Sequence, residues 1–255
     1  STIYEYMIFE NKKLFLNSAF IVLEDSKISE ILRRKKYSSI IIISHTDLNL
    51  PSFKKRVKTT TIINLKNTKD DIFAKFNDTA RNEIRKTYKI PNLEIVLDDK
   101  NFSDTYVLYK NFEYAQKRVP FSRKNLEKCL RFSAYYNGEI ISGIFVDLGE
   151  KDLRIRYIFS KRLQTENKEL YKIIASATRR LLWEICIWGK DKSFNSLDLA
   201  SVNFSNPEVA NITKFKMSFG GEVINEYTYT HISPTYSFLV KLVGIKLFLK
   251  KIFNK

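Results

Sequence analysis

Two residue patterns in this 255-residue chain have the spacing to meet an anion. In TARNEIRKTYK, residues 79–89, Arg81, Arg85 and Lys89 recur every four residues, so a helix stacks them in one row. A neighbouring row holds Ile72, Phe76, Ala80, Ile84 and Tyr88. Such a helix packs one side and offers cationic donors on the other, although a solvated helix face explains the same charges. The second pattern is PTYSFLVKLVGIKLFLKKIFNK, the final 22 residues, with five lysines and no acid. Drawn as a helix, it gathers Phe238, Leu242, Ile245, Leu249, Ile252 and Phe253 in an arc of roughly 100° that excludes every lysine. That arrangement suits an anionic membrane surface or packing against protein, and its lysines forbid a membrane span.

Other reactive residues form no recognisable constellation. Cys129 and Cys186 make neither a disulfide framework nor a thiolate cluster, and His45 and His231 stand far apart with no metal-binding spacing. No metal is indicated. Lys and Arg outnumber Asp and Glu by 44 to 28, a formal charge of +16, which favours anionic partners such as nucleotide phosphates, tRNA, lipid carriers or membranes. The 19 Phe and 14 Tyr lie mostly in apolar contexts such as IFVDLG and YIFS, which points to core packing rather than base stacking.

The elements that would position these residues are an early helix over SKISEILRRKKY (26–37), a buried strand over SSIIIISH (38–45), and a second strand over TTTIINL (59–65). The intervening LPSFKKRVK reads as a connection. One helix follows over 68–89, with Thr68 and Asp71 as its capping box, and another over 102–117. Asn137-Gly138 marks a hairpin, and DLRIRYIFS (152–160) supplies a strand with Leu153, Ile155, Tyr157 and Phe159 on one face. A long helix carries the stripe Leu170, Ile173, Ile174, Ala177, Leu181, Ile185 and Trp188, with Gly189 as its C-terminal cap. FNSLDLAS reads as a strand, a short helix ends near Gly220-Gly221, and Val223, Asn225, Tyr227 and Tyr229 alternate in a last strand.

In this order the chain resembles the FemAB-like branch of the GNAT-fold acyltransferases. TARNEIRKTYK looks like the family's Arg-Asn-x-x-Arg helix, SAYYNGEIISGIFV (133–146) like its central hairpin, and SLDLAS with ITKFKMSFGGEV (196–223) like its closing block. Phe215, Lys216, Phe219, Gly220 and Gly221 are the most specific part. The resemblance implies an α/β (α+β) fold: a mixed, largely antiparallel sheet flanked by helices, with a small N-terminal α/β section. The expected domains are 1–59, a GNAT-like 60–232, and a basic amphipathic helix at 233–255.

The resemblance also implies an N-acyltransferase acting on an amine, foremost on a nucleotide-linked or lipid-linked amino sugar destined for a cell-surface glycan. Acyl-CoA is the expected donor, and aminoacyl-tRNA with a peptidoglycan precursor is the alternative. The connection SKRLQTENKEL (160–170) lacks the glycine turn that acetyl-CoA-binding relatives use, leaving Lys161 and Arg162 to contact phosphate through side chains. Lys216 is the expected oxyanion stabiliser, since an ammonium has the required charge. Asp198, at the exit of the SLDL strand, is placed to orient the amine or accept its proton. Arg81, Arg85, Tyr157, Phe215 and Tyr227 are the expected substrate contacts, with Tyr229 as a further cleft residue and His231 as a weaker base. A cytoplasmic protein attached peripherally to the inner membrane through its C-terminal helix is the expected setting. A nucleic-acid-binding module and a non-catalytic GNAT-like scaffold are the competing readings.

Overall fold

The computed structural model describes residues 8–13, 16–34 and 37–238. In chain order these form β1 (Ile8–Lys13), β2 (Leu16–Val22), α1 (Asp25–Arg33), β3 (Ser39–Ser44), β4 (Lys54–Asn64), α2 (Lys69–Ala74), α3 (Asp78–Thr87) and β5 (Leu93–Leu97). Then come α4 (Phe102–Ala115), α5 (Arg123–Leu126), β6 (Leu130–Tyr136), β7 (Glu139–Leu148), β8 (Asp152–Ser160), α6 (Lys168–Asp191), β9 (Ser196–Val202), α7 (Ala210–Met217) and β10 (Glu222–Ile232). The fold is mixed α/β with mostly antiparallel strand pairs. Among the described residues two compact units are present, Thr59–Ile224 and, joined across the sequence, the described parts of 8–58 with 225–238. The boundary falls inside β4 and β10.

In the first unit the strand order is β4-β9-β8-β7-β6-β5, and β8–β9 is its parallel pair. One face is covered by α6, whose Ile174, Ala177, Leu181 and Ile185 are wholly buried against Ile144, Leu153 and Leu197. Full burial of each such aliphatic side chain favours the fold by roughly 1.5–3 kcal/mol. On the other face, Leu108 and Tyr109 of α4 pack with Phe145 and Phe159. The β6–β7 hairpin turns at Asn137 and Gly138, both with positive φ (51° and 77°), as a type I′ turn requires.

Several local expectations need correction. The segment 68–89 is two helices, because Asn77 caps α3 by accepting from Ala80 N (2.9 Å) while its own N–H donates to Ser218 O (2.9 Å), turning the chain there. Tyr88, expected on the apolar row, is exposed. Gly189 is not a cap: α6 continues to Asp191, and a Cβ at Gly189 would strike the side chains of Leu153 and Leu65. The supposed connection before residue 59 already belongs to β4, which starts at Lys54. In β8 a bulge opposite Phe145–Val146 reverses the alternation, so Ile155 and Ile158 join the α6-side core while Tyr157 and Phe159 join the α4-side core. The sequence reading also passed over β1, β2 and β5.

The second unit has strand order β1-β2-β3-β10, with β2–β3 parallel. Ile28 and Ile31 of α1 pack on Ile21, Ile40 and Ile42, so the four-isoleucine run is a buried strand. Residues 234–238 are helical, and the amphipathic pattern beyond 238 lies outside the described residues. No helix among the described residues is long and apolar enough to cross a membrane.

Candidate active site

The first unit is forked. Strands β8 and β9 pair in parallel at Asp152–Ser196, Leu153–Leu197 and Arg154–Asp198, after which β8 runs on to Ser160 and β9 to Val202 with no further pairing between them among the described residues. Asp198 stands at the last paired position. Its carboxylate is fully buried and accepts from Thr60 Oγ1, from the Arg154 guanidinium and from Ala200 N (2.7 Å). It faces neither a cleft nor water. The last of these bonds holds a bulge between β4 and β9, at which Ala200 takes φ +62°, a left-handed value that is costly for a residue with a Cβ.

Past that bulge the chemistry changes character. Lys216 Nζ, on α7, donates to Ser201 O at 2.9 Å, placing an ammonium on the parted segment of β9. Helix α7 is fastened at two points: Thr213 Oγ1, in its middle, accepts from Asn203 N and donates to Asn203 O, each at 3.1 Å, and Ser218 O, at its C-terminal cap, receives Asn77 N–H. Phe219 is buried with its ring edge against Phe76. Gly220 has φ +62° and lies against the Lys75 carbonyl, where a side chain would collide with backbone. The Phe-Lys-x-x-Phe-Gly-Gly pattern is thereby a device for fixing Lys216 as well as a source of it.

A cationic cluster lies beside this helix. Arg179, from the middle of α6, stacks over the Phe215 ring at 5.0 Å and pairs with Glu83 of α3 at 3.3 Å. Burial holds Arg179 below the ordinary arginine value; Glu83 opposes this, and the positive charge of Arg162 adds to it. Arg162 stacks over Tyr171 at 4.3 Å and donates to its hydroxyl. The Arg162 Nε is shielded from solvent and lacks an acceptor among the described residues. Lys161 pairs with Glu139 at 2.9 Å and is separate from that arrangement. At the start of α6, Asn167 Oδ1 takes the N–H groups of Glu169 (2.9 Å) and Leu170 (3.0 Å), and Glu169 adds negative charge to the first turn.

The remaining expected residues are dispersed. Arg81 donates to Ala74 O (2.6 Å) and to Asp78, binding α2 to α3, while Arg85 stacks on Phe73 at 5.3 Å. Tyr157 packs against Tyr109 and Phe121, and burial first, then Tyr109, raises its phenol pKa. Tyr227, Tyr229 and His231 belong to the second unit. There Lys55 lies over Tyr227, Tyr229 donates to Asp47 (2.8 Å), and His231 lies beside Phe53. Sequence reading missed Arg179, Glu83, Arg154 and Ser201. Arg179 had one visible signal, a pair of arginines interrupting a long apolar helix.

No protein-family model and no curated protein matches the sequence. Solved structures do match. The chain shares the fold of FemX. That structure superposes with a TM-score of 0.64 at 11% identity, over 91% of this chain and 85% of FemX. A lysylphosphatidylglycerol synthetase candidate from Agrobacterium fabrum, represented by its C-terminal domain, matches with a TM-score of 0.54 at 11% identity, covering 93% and 84% of the two chains. L-PGS from Bacillus licheniformis gives 0.52 at 14% identity, covering 92% and 84%. Together with FemX they support the FemAB-like GNAT fold for this chain.

Proposed function

We propose that this protein is an acyltransferase that moves an activated acyl or aminoacyl unit onto an amine. The observation that carries the reading is the Lys216 ammonium held on Ser201, in the segment of β9 that has parted from β8. A carbonyl entering that gap becomes tetrahedral as the uncharged amine attacks: the C–N bond forms and the carbonyl oxygen gains negative charge; the adduct then collapses, the C–S or C–O bond to the leaving group breaks, and the proton shed by the amine ends on the departing thiol or alcohol. A fixed cation beside the nascent oxyanion stabilises that state more than the ground state. Asp198 acts through the bulge it holds and so positions Ser201 and Lys216. Arg162 and Arg179 supply a partly desolvated positive site for the anionic portion of the donor, with Phe215 packed beside it.

The acceptor we favour is an amino sugar linked to a nucleotide or lipid carrier, consistent with the basic surface and with neighbours that include a lipid-modifying synthetase by name. Acyl-CoA is the first donor to test. The capped, acidic first turn of α6 favours a second reading, in which the donor is aminoacyl-tRNA, because the helix amides that would receive a diphosphate are taken by Asn167. Purified protein incubated with acyl-CoAs or charged tRNAs, each paired with amino-sugar nucleotides and lipid-linked amino sugars, should yield an acceptor whose mass rises by one acyl unit as donor is consumed. Failure of every amine acceptor with a donor that binds would overturn the reaction; product from only one donor class would decide between the two readings.

A further inference from the structure

We propose that the segment following α4 is a docking surface for an anionic lipid bilayer, separate from the C-terminal amphipathic pattern. Helix α4 turns an apolar strip to solvent through Val107 and Tyr114, two turns apart on one face; it ends at Ala115, and the chain turns away at Lys117, whose φ is +57°. The chain then presents Val119, 89% exposed, followed by Phe121, 48% exposed. This tip is braced from within. Arg118 N donates to Glu113 O at 2.9 Å, Tyr106 Oη donates to Phe121 O at 3.0 Å, and Phe121 N donates to Tyr109 Oη at 3.1 Å. The Phe121 ring leans on Tyr157. Three hydrogen bonds and a ring contact thus fix a loop whose most apolar residue makes no use of the fold's own core.

Charge selects the occupant. Residues 110–128 contain six Lys and Arg against two Glu, and both acids are already spent, Glu113 on Arg118 (2.7 Å) and Glu127 on Arg123 (3.3 Å). Lys117 and Lys124 face solvent with no carboxylate partner among the described residues. Apolar side chains that enter the acyl boundary, ringed by cations that meet lipid phosphates, are the pattern of an interfacial anchor. A nucleic acid would answer the lysines and leave Val119 in water; a second copy of this basic surface would repel itself. A pre-braced loop also loses little freedom on insertion.

The test is local, so that binding by another part of the full-length chain cannot mimic it. An environment-sensitive fluorophore attached to Val119→Cys should shift to the blue on vesicles of phosphatidylglycerol and phosphatidylcholine and be quenched by spin-labelled lipid, while the same label at exposed Lys192→Cys stays unchanged. Both native cysteines are buried and should remain unlabelled in the folded protein. High salt should weaken the response, Lys117→Glu/Lys124→Glu should lower vesicle partitioning roughly tenfold or more, and Val119→Asp should lower it roughly tenfold. These positions are exposed, and circular dichroism of each variant checks its fold. An unshifted Val119→Cys label on a vesicle-bound protein overturns the proposal. So does an equal shift with neutral vesicles, with single-stranded RNA, or with rising protein concentration and no lipid.

Discussion

The two ends of the β8–β9 pair differ in the one respect that matters for chemistry. At the joined end Asp198 has all its donors inside the protein and is wholly buried, so its charge is committed to structure. At the parted end Lys216 donates to a backbone carbonyl of β9, and Arg162 keeps a solvent-shielded N–H without an acceptor among the described residues. A buried, fully paired ion stabilises one arrangement, whereas a cation held in place beside an open strand segment can answer charge that arrives or develops. Under the proposed acyl transfer, the aspartate is architectural and the lysine is the residue to test for catalysis.

The largest effect should come from breaking the joined end. Asp198→Ala leaves Arg154 buried without its carboxylate and should cost about 3–5 kcal/mol of stability, read as a lower denaturation midpoint. Replacing both partners, Arg154→Met with Asp198→Leu, should recover much of that loss. The isosteric Asp198→Asn should leave the pH–rate profile in place; a displaced profile would return the aspartate to proton transfer and dissolve the contrast.

At the parted end, Lys216→Met should lower turnover by roughly 10²–10³-fold, about 2.7–4 kcal/mol of transition-state stabilisation, with donor binding little changed. A folded variant with wild-type turnover at saturating substrate would remove the lysine from the mechanism. Next in size, Arg179→Met should raise KM for the donor by roughly 1.5–3 kcal/mol, the worth of hydrogen bonds to a charged group, while kcat holds; an unchanged KM would move the donor elsewhere. The smallest expected effect is Thr213→Val, which removes the clasp between α7 and Asn203 and should cost about 1 kcal/mol of stability. Its value lies in the rate: a fall in turnover larger than the fall in stability would show that fixing α7 serves Lys216.

Periodicity and turn chemistry determined much of this protein from sequence alone. The α6 stripe, the Asn137-Gly138 hairpin and the buried isoleucine strand depend on neighbours a few residues apart, and spacing records such neighbours directly. Lys216 was singled out through the resemblance to the FemAB-like family, not through spacing. Tertiary structure decided the rest. The break at Asn77 depends on the Ser218 carbonyl, distant in sequence, and the reversal within β8 depends on the bulge it forms against β7. Strands β1 and β5 have no clean alternation to announce them. Asp198 alternates with leucines as a water-facing residue would, and its burial depends on donors that include Thr60 and Arg154, brought from other strands. Arg179 joined the site through Arg162 and Glu83 on separate elements, a juxtaposition no local pattern encodes, because hydrogen-bond partners and like charges are matched in space and not along the chain.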